Sequence, residues 1–318
     1  MRRLAIIAVL IVAAVIAVMM LRPGGGSADR DVDVMIAQGA SLTAAAKTLE
    51  AVGAINSASG FVHNAKLFGS GEPIKPGEYK IKKGMDAGDI LALLQSGKTL
   101  QRFVTIPEGM PSILVYERLM ATELLTGDVA ISPEGSVLPD SYAYSRGEAR
   151  SAVVGRMQKA MQTALANAWA ARKPTAAVTT PEQAIILASI IEKEMGRASE
   201  RPMVGAVYTN RLKRGMPLQA DPTFLYPITK GKPLGRVIYK SDLQRDTPYN
   251  TYIHNGLPPG PITNPGKASI EAALDPAPSN AVYFVAQGDG SSAFADTLDQ
   301  HNANVAKWRA HRAAKGGM

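Results

Sequence analysis

The chain has 318 residues, and its 35 Lys and Arg against 27 Asp and Glu give a formal net charge of +8. Cysteine is absent, which excludes a disulfide framework, a thiolate metal site and a cysteine nucleophile. The basic balance suits an anionic partner, but the charges are scattered without a dense Lys/Arg block and interleaved aromatics, so nucleic acid is not expected and plain solubility is an equal account.

Leu4 to Leu21 is an unbroken run of 18 aliphatic residues and methionines, behind Arg2 and Arg3 and ahead of Arg22-Pro23 and a Gly-rich stretch. At 1.5 Å per residue such a helix spans about 27 Å, close to the ~30 Å of a bilayer core. A cleaved secretory signal is the competing reading, but its apolar core is usually about 7 to 15 residues long with a small-x-small site behind it. Met19-Met20-Leu21-Arg22 offers no such site. Residues 1–22 are therefore expected to be a cytoplasmic tip and retained anchor, with the N-terminus inside by the positive-inside rule and the body exported. Residues 23–31 read as a flexible linker.

A short alternating strand, a Gly turn, a small capping residue and an amphipathic helix then recur three times. The copies are Val34 to Gly39 with Ser41, Tyr79 to Gly84 with Asp86, and Val104 to Gly109 with Ser112. The first two fall in residues 32–100, a small α/β module that either binds a ligand or spaces the main body from the membrane. From residue 101 the pattern becomes longer helices between Pro/Gly-rich loops. Helices are expected at 111–126, 147–172, 181–195, 201–213, 267–274 and 298–312, with strands at 281–287 and 292–296. The fold class is α+β, richer in helix than strand.

The helix opening at Thr180-Pro181-Glu182-Gln183 has a capping residue, proline at its first position and a capping-box glutamine. Its apolar residues cover most of the circumference, so it should be largely buried. Glu192 falls between Ala188 and Ile185 on the wheel, inside the apolar arc, while Glu194 lies beside Leu187 and Gln183. Both occupy the last turn, where the helix dipole disfavours negative charge. Burial and the dipole would raise the Glu192 pKa toward a general acid's range; an ion pair with Arg197 or Arg201 is the structural alternative.

Downstream lie Pro217-Leu218-Gln219-Ala220-Asp221-Pro222-Thr223, expected as an extended loop, then Tyr249-Asn250-Thr251-Tyr252 and the stiff run Gly256 to Gly266. Amides, hydroxyls and tyrosines on rigid loops suit a sugar-binding cleft. The four histidines show no metal-ligand spacing, and no HExxH, P-loop or GxSxG motif occurs, so neither a metal nor a cofactor is expected.

Ala188-Ser189-Ile190-Ile191-Glu192-Lys193-Glu194, Val207-Tyr208-Thr209-Asn210-Arg211-Leu212, Pro217 to Thr223, Tyr249 to Tyr252 and Gly256-Leu257-Pro258-Pro259-Gly260-Pro261-Ile262 together resemble the MltG (YceG-like) endolytic murein transglycosylases. The likeness continues through Val282-Tyr283-Phe284-Val285-Ala286, His301-Asn302 and Trp308. One departure is Glu134-Gly135-Ser136-Val137-Leu138-Pro139-Asp140, which lacks an aromatic-bearing segment usual in the family. The resemblance implies a LysM-like module over 32–100 and a catalytic domain over 101–318. It further implies cleavage within glycan strands of the bond between N-acetylmuramic acid and N-acetylglucosamine, leaving 1,6-anhydro ends. Glu192 is the expected catalytic residue, and Gln219, Asp221, Thr223, Asn250 and Tyr252 are the expected substrate-binding residues, with Glu194 assigned to an ion pair. Peptidoglycan strands and the cytoplasmic-membrane bilayer are the expected partners, and peptidoglycan synthases a further candidate. The alternatives are a hydrolytic muramidase using Glu192 with Asp221, and a non-enzymatic wall-binding scaffold.

Overall fold

In the computed structural model, residues 28–194 and 196–314 are described, so the expected anchor at 1–22 lies outside the described residues. Among those described, no helix is long and apolar enough to cross a membrane. The chain divides into two compact units, the first ending at Arg102 and the second starting at Phe103.

The first unit runs β1 (Val32–Ile36), α1 (Leu42–Ala51), α2 (Ala58–Phe68), β2 (Gly77–Ile81) and α3 (Ala87–Ser96). The strands pair antiparallel, with Val32 opposite Ile81 and Val34 opposite Tyr79. Val34, Ile36, Tyr79 and Ile81 all point into a core shared with Leu49, Phe61, Ile90 and Leu94, as strand alternation requires. Ser41 and Asp86 cap α1 and α3 through their side chains, as expected. Helix α2 was not expected from the apolar pattern; Ser57 starts it by accepting from the Gly60 N–H.

The boundary falls one residue into β3 (Arg102–Thr105), and the second unit continues with α4 (Ser112–Met120), β4 (Ser141–Tyr144), α5 (Arg150–Ala170), α6 (Pro181–Glu194), α7 (Arg201–Lys213), α8 (Asp221–Thr229), α9 (Lys240–Leu243), α10 (Lys267–Leu274), β5 (Tyr283–Ala286), β6 (Ser292–Ala295) and α11 (Leu298–Ala314). Strand β3 pairs with β4, and β5 pairs antiparallel with β6, so the fold is helix-rich α+β with small two-stranded sheets.

Helix α6 is the axis of this unit: Ala184, Leu187, Ala188, Ile190 and Ile191 are buried among α7, α10 and the Ile262 loop. Helices α7 and α10 approach so closely that a Cβ on Gly205 would lie 2.3 Å from the Ala272 carbonyl oxygen, which requires glycine there. Helix α4 ends at Met120 instead of 126, because the Arg150 guanidinium donates to the Leu119, Met120 and Thr122 carbonyls at its C-terminus. Its cap also differs from expectation. Pro111 is the cap position, and the Glu134 carboxylate, not the Ser112 hydroxyl, takes the first helical N–H. The segment that departs from the family pattern still packs, with Val137 and Leu138 buried.

Candidate active site

Two carboxylates near the end of α6 sit in different surroundings. Glu192 is buried, with its side chain 3% exposed. Its Oε2 accepts from the Gly266 N–H at 3.0 Å and the Ser269 hydroxyl at 2.7 Å, and its Oε1 lies 3.4 Å from Arg201 Nη2. Arg201 also grips Glu108 at 2.5 Å. Across the carboxylate lies Gly109, whose added Cβ would lie 3.3 Å from Glu192 Cγ. Glu192 thus pins α6 to the start of α10, and the expected alternative, an ion pair with Arg201, is present. Glu192 is buried as its place in the apolar arc implies, but its carboxyl oxygens meet hydrogen-bond donors there.

Glu194, the last residue of α6, faces a cleft of ≈ 280 Å³ lined also by Arg211, Gln219, Asp221, Tyr252 and His301. Its Oε1 is buried with no hydrogen-bond partner among the described residues, so the ion-pair role expected for it is not seen. Burial pushes its pKa up to about 7 and the nearby Asp221 charge adds to the push, while the Asp221 main-chain N–H and Arg211 pull it down. The position reinforces this, since a helix C-terminus disfavours negative charge.

Asp221 faces it from the opposite kind of terminus. The run expected to be extended through Thr223 turns into α8 at Asp221, with Pro222 in its first turn. A helix N-terminus accommodates negative charge, and the Tyr252 hydroxyl donates to Asp221 Oδ1 at 2.6 Å. Two carboxylates placed at helix ends of opposite polarity are the arrangement that separates an acid from a base or counter-charge.

Arg211 builds the cleft floor. Buried in α7, it donates to the Val282, Leu218 and Pro217 carbonyls and to Gln219 Oε1, and burial lowers its own pKa. That clamp holds Gln219 in the left-handed region at φ 51, a conformation costing on the order of 1 kcal/mol for a non-glycine residue. His301 stacks on Tyr283 with ring centroids 5.1 Å apart, and its buried Nδ1 has no partner among the described residues. Burial, with help from Arg211, lowers its pKa.

Of the expected binding residues, Gln219, Asp221 and Tyr252 meet in this cleft. Thr223 and Asn250 do not. Thr223 is fully buried, its hydroxyl bonded to Thr251 Oγ1 and the Ala220 carbonyl. Asn250 is equally buried and donates to the Leu243 and Arg245 carbonyls, so both residues hold the loops that carry Gln219 and Tyr252. Asn264 in the stiff Pro/Gly run is likewise internal, donating to the Met110 carbonyl and accepting from the Val137 N–H.

A protein-family model described as the YceG-like family matches residues 34–307, most of the chain. The chain belongs to the YceG-like family. Its relatives include the endolytic murein transglycosylase of Bacillus subtilis (strain 168), 30% identical over 91% of this chain and 88% of that protein. The endolytic murein transglycosylase of Streptococcus pneumoniae (serotype 2 strain D39) is 27% identical over 90% of this chain but only 60% of its own length. Among solved structures, the crystal structure of a putative yceG-like protein, lmo1499, from Listeria monocytogenes is similar with a TM-score of 0.54. It is 29% identical, and the match covers 86% of this chain and 98% of that one. In this YceG-like chain the matched region includes α6, the Gln219 turn and both carboxylates of the cleft.

Proposed function

We propose that this chain is an endolytic peptidoglycan lytic transglycosylase in which Glu194, not Glu192, is the general acid and then the base. The observation that carries the reading is the buried, unpartnered Glu194 oxygen facing a cleft, on a carboxyl whose pKa burial pushes up to about 7. In the reaction, the Glu194 carboxyl gives its proton to the glycosidic oxygen as the bond from the muramyl anomeric carbon breaks. The muramyl 6-hydroxyl then attacks that carbon and returns its proton to Glu194. One bond is broken and one formed, the product ends in a 1,6-anhydro ring, and no water is consumed. A single carboxyl performs both transfers, which fits a pKa near the working pH.

Asp221 serves as counter-charge: it keeps Glu194 protonated and opposes the positive charge that develops on the sugar ring. Tyr252 fixes Asp221, and Gln219, in its constrained turn, offers an amide to a sugar hydroxyl. The printed names of the Bacillus and Streptococcus relatives support the substrate and the internal cleavage.

Asp221 in the same cleft also favours a second reading, a hydrolytic muramidase using two carboxylates. Mass spectrometry of digested glycan separates them, since reducing ends would show hydrolysis and anhydro ends the transglycosylase.

The reading extends to the first unit and the leader. Residues 1–22 anchor the enzyme in the cytoplasmic membrane with the catalytic domain outside, and the β1–α3 unit is the LysM-like module. Supporting this are the 18-residue apolar run and the Arg2-Arg3 flank. A version lacking residues 1–26 should cut purified glycan yet lose control of strand length in cells. Normal strand lengths would count against the anchor's role.

A further inference from the structure

The second unit has another cavity, of ≈ 410 Å³, lined in part by the sequence neighbours of residues in the Glu194 cleft. Lys193 precedes Glu194 on α6 and Pro222 follows Asp221 on α8; both line this cavity, with Met110, Leu114, Leu225, Tyr226 and Ile262 among its other walls. The charges there are unequal. Glu108 is held by Arg201, and Lys232 is paired with Glu117 at 2.5 Å. The exposed Lys193 ammonium lies within electrostatic reach of the Glu134 carboxylate but closes no ion pair or hydrogen bond with it or with any other described residue, and its stem runs beside Gly109, where an added Cβ would lie 3.8 Å from Lys193 Cδ. Tyr226 is fixed in the wall by its hydroxyl bond to Glu134 at 3.3 Å and by packing against Tyr249.

We propose that this cavity receives the acidic peptide stem of the muramyl residue, with Lys193 pairing with a stem carboxylate. The inference rests on the transglycosylase reading above and adds a second binding site to it. The chemistry matches on two counts. A muramyl residue carries, on a lactyl ether beside the bond to be cut, a short peptide of small apolar side chains and free carboxylates. The cavity offers apolar walls of methionine, leucine, isoleucine and proline with one exposed cation that closes no ion pair, on the residue before the general acid. Consecutive residues of α6 and α8 serve the two halves of one substrate, so seating the stem would orient the sugar over Glu194. Positioning by a remote group is how binding energy reaches the reacting bond.

The test compares glycan strands carrying stems with strands stripped by an amidase, using the full chain and the surface variants Lys193→Ala and Lys193→Glu. The ratio of kcat/KM for stemmed over naked strands should fall about tenfold in Lys193→Ala, the loss of one charge-assisted contact, and further in Lys193→Glu. Binding of both strand types to Glu194→Gln, with and without Lys193→Ala, gives a readout independent of cleavage, and there too the preference for stemmed strands should shrink. A ratio and a binding preference unchanged in both Lys193 variants would overturn the stem site while leaving the activity standing. Lys193-dependent binding of stemmed strands by a wild-type enzyme that cuts neither substrate would do the reverse.

Discussion

Glu194→Gln is nearly isosteric and removes a single titration, so its effect on stability can be worked from the site. In the folded chain the carboxyl has a pKa of about 7, against an ordinary value of 4.5. A raised folded value means that the folded state binds the proton more tightly than the unfolded state. Stability from this group is therefore fully present below about pH 4.5 and lost as pH rises through about 7. By pH 8 the wild type forgoes about 3 kcal/mol that a neutral glutamine does not. Both tryptophans, Trp169 and Trp308, lie in the second unit, so their fluorescence in urea reports its unfolding. The variant should match the wild type near pH 4, exceed it by about 3 kcal/mol at pH 8, and cut no glycan. A variant that is no more stable than the wild type at pH 8, or that still cleaves, refutes the reasoning.

Glu192→Gln should act in the opposite sense. It removes a buried charge that Arg201, Ser269 and the Gly266 N–H all approach, and should cost about 2–4 kcal/mol in the same urea assay. Residual activity in its folded fraction should still yield wild-type products. Asp221→Asn removes the negative neighbour of Glu194, so the alkaline limb of kcat, near pH 7 in the wild type, should move to lower pH; an unmoved limb would detach Asp221 from the acid. Tyr252→Phe deletes the donor to Asp221 at an exposed site. It should lower kcat about tenfold with little change in the urea midpoint, whereas an equal loss of stability would make Tyr252 a packing residue.

Local patterns carried much of the fold. The caps Ser41 and Asp86, the apolar stripe of α6 and the strands β5 and β6 follow from capping chemistry and periodicity, and the structure has them within a few residues of the expected bounds. Helix α8 lies where Pro217 and Pro222 suggest an extended loop, because Asp221-Pro222 is also a helix-start signature and here it starts a helix.

The site was legible only in part. The wheel gave the burial of Glu192 correctly, but burial alone does not say whether a carboxylate meets donors or empty space. Gly266, Ser269 and Glu108 reach that corner from distant parts of the chain. Glu194 carried a signal that could have been used: as the last residue of α6 it stands where a side chain can leave the packed helix. Gln219, Asp221 and Tyr252 were recognisable by chemical type. Thr223 and Asn250, of the same type, turn inward, and that depends on the left-handed turn at Gln219 and the tertiary bonds around Thr251.

The central claim is that one carboxyl, Glu194, makes and breaks the bonds without water. Mass spectrometry of purified glycan digested in heavy-oxygen water by wild type, Glu192→Gln and Glu194→Gln tests it directly. The wild type and folded Glu192→Gln should give 1,6-anhydro ends without the heavy label, and Glu194→Gln no new ends. Labelled reducing ends, or cleavage that survives in Glu194→Gln and vanishes in well-folded Glu192→Gln, would contradict it.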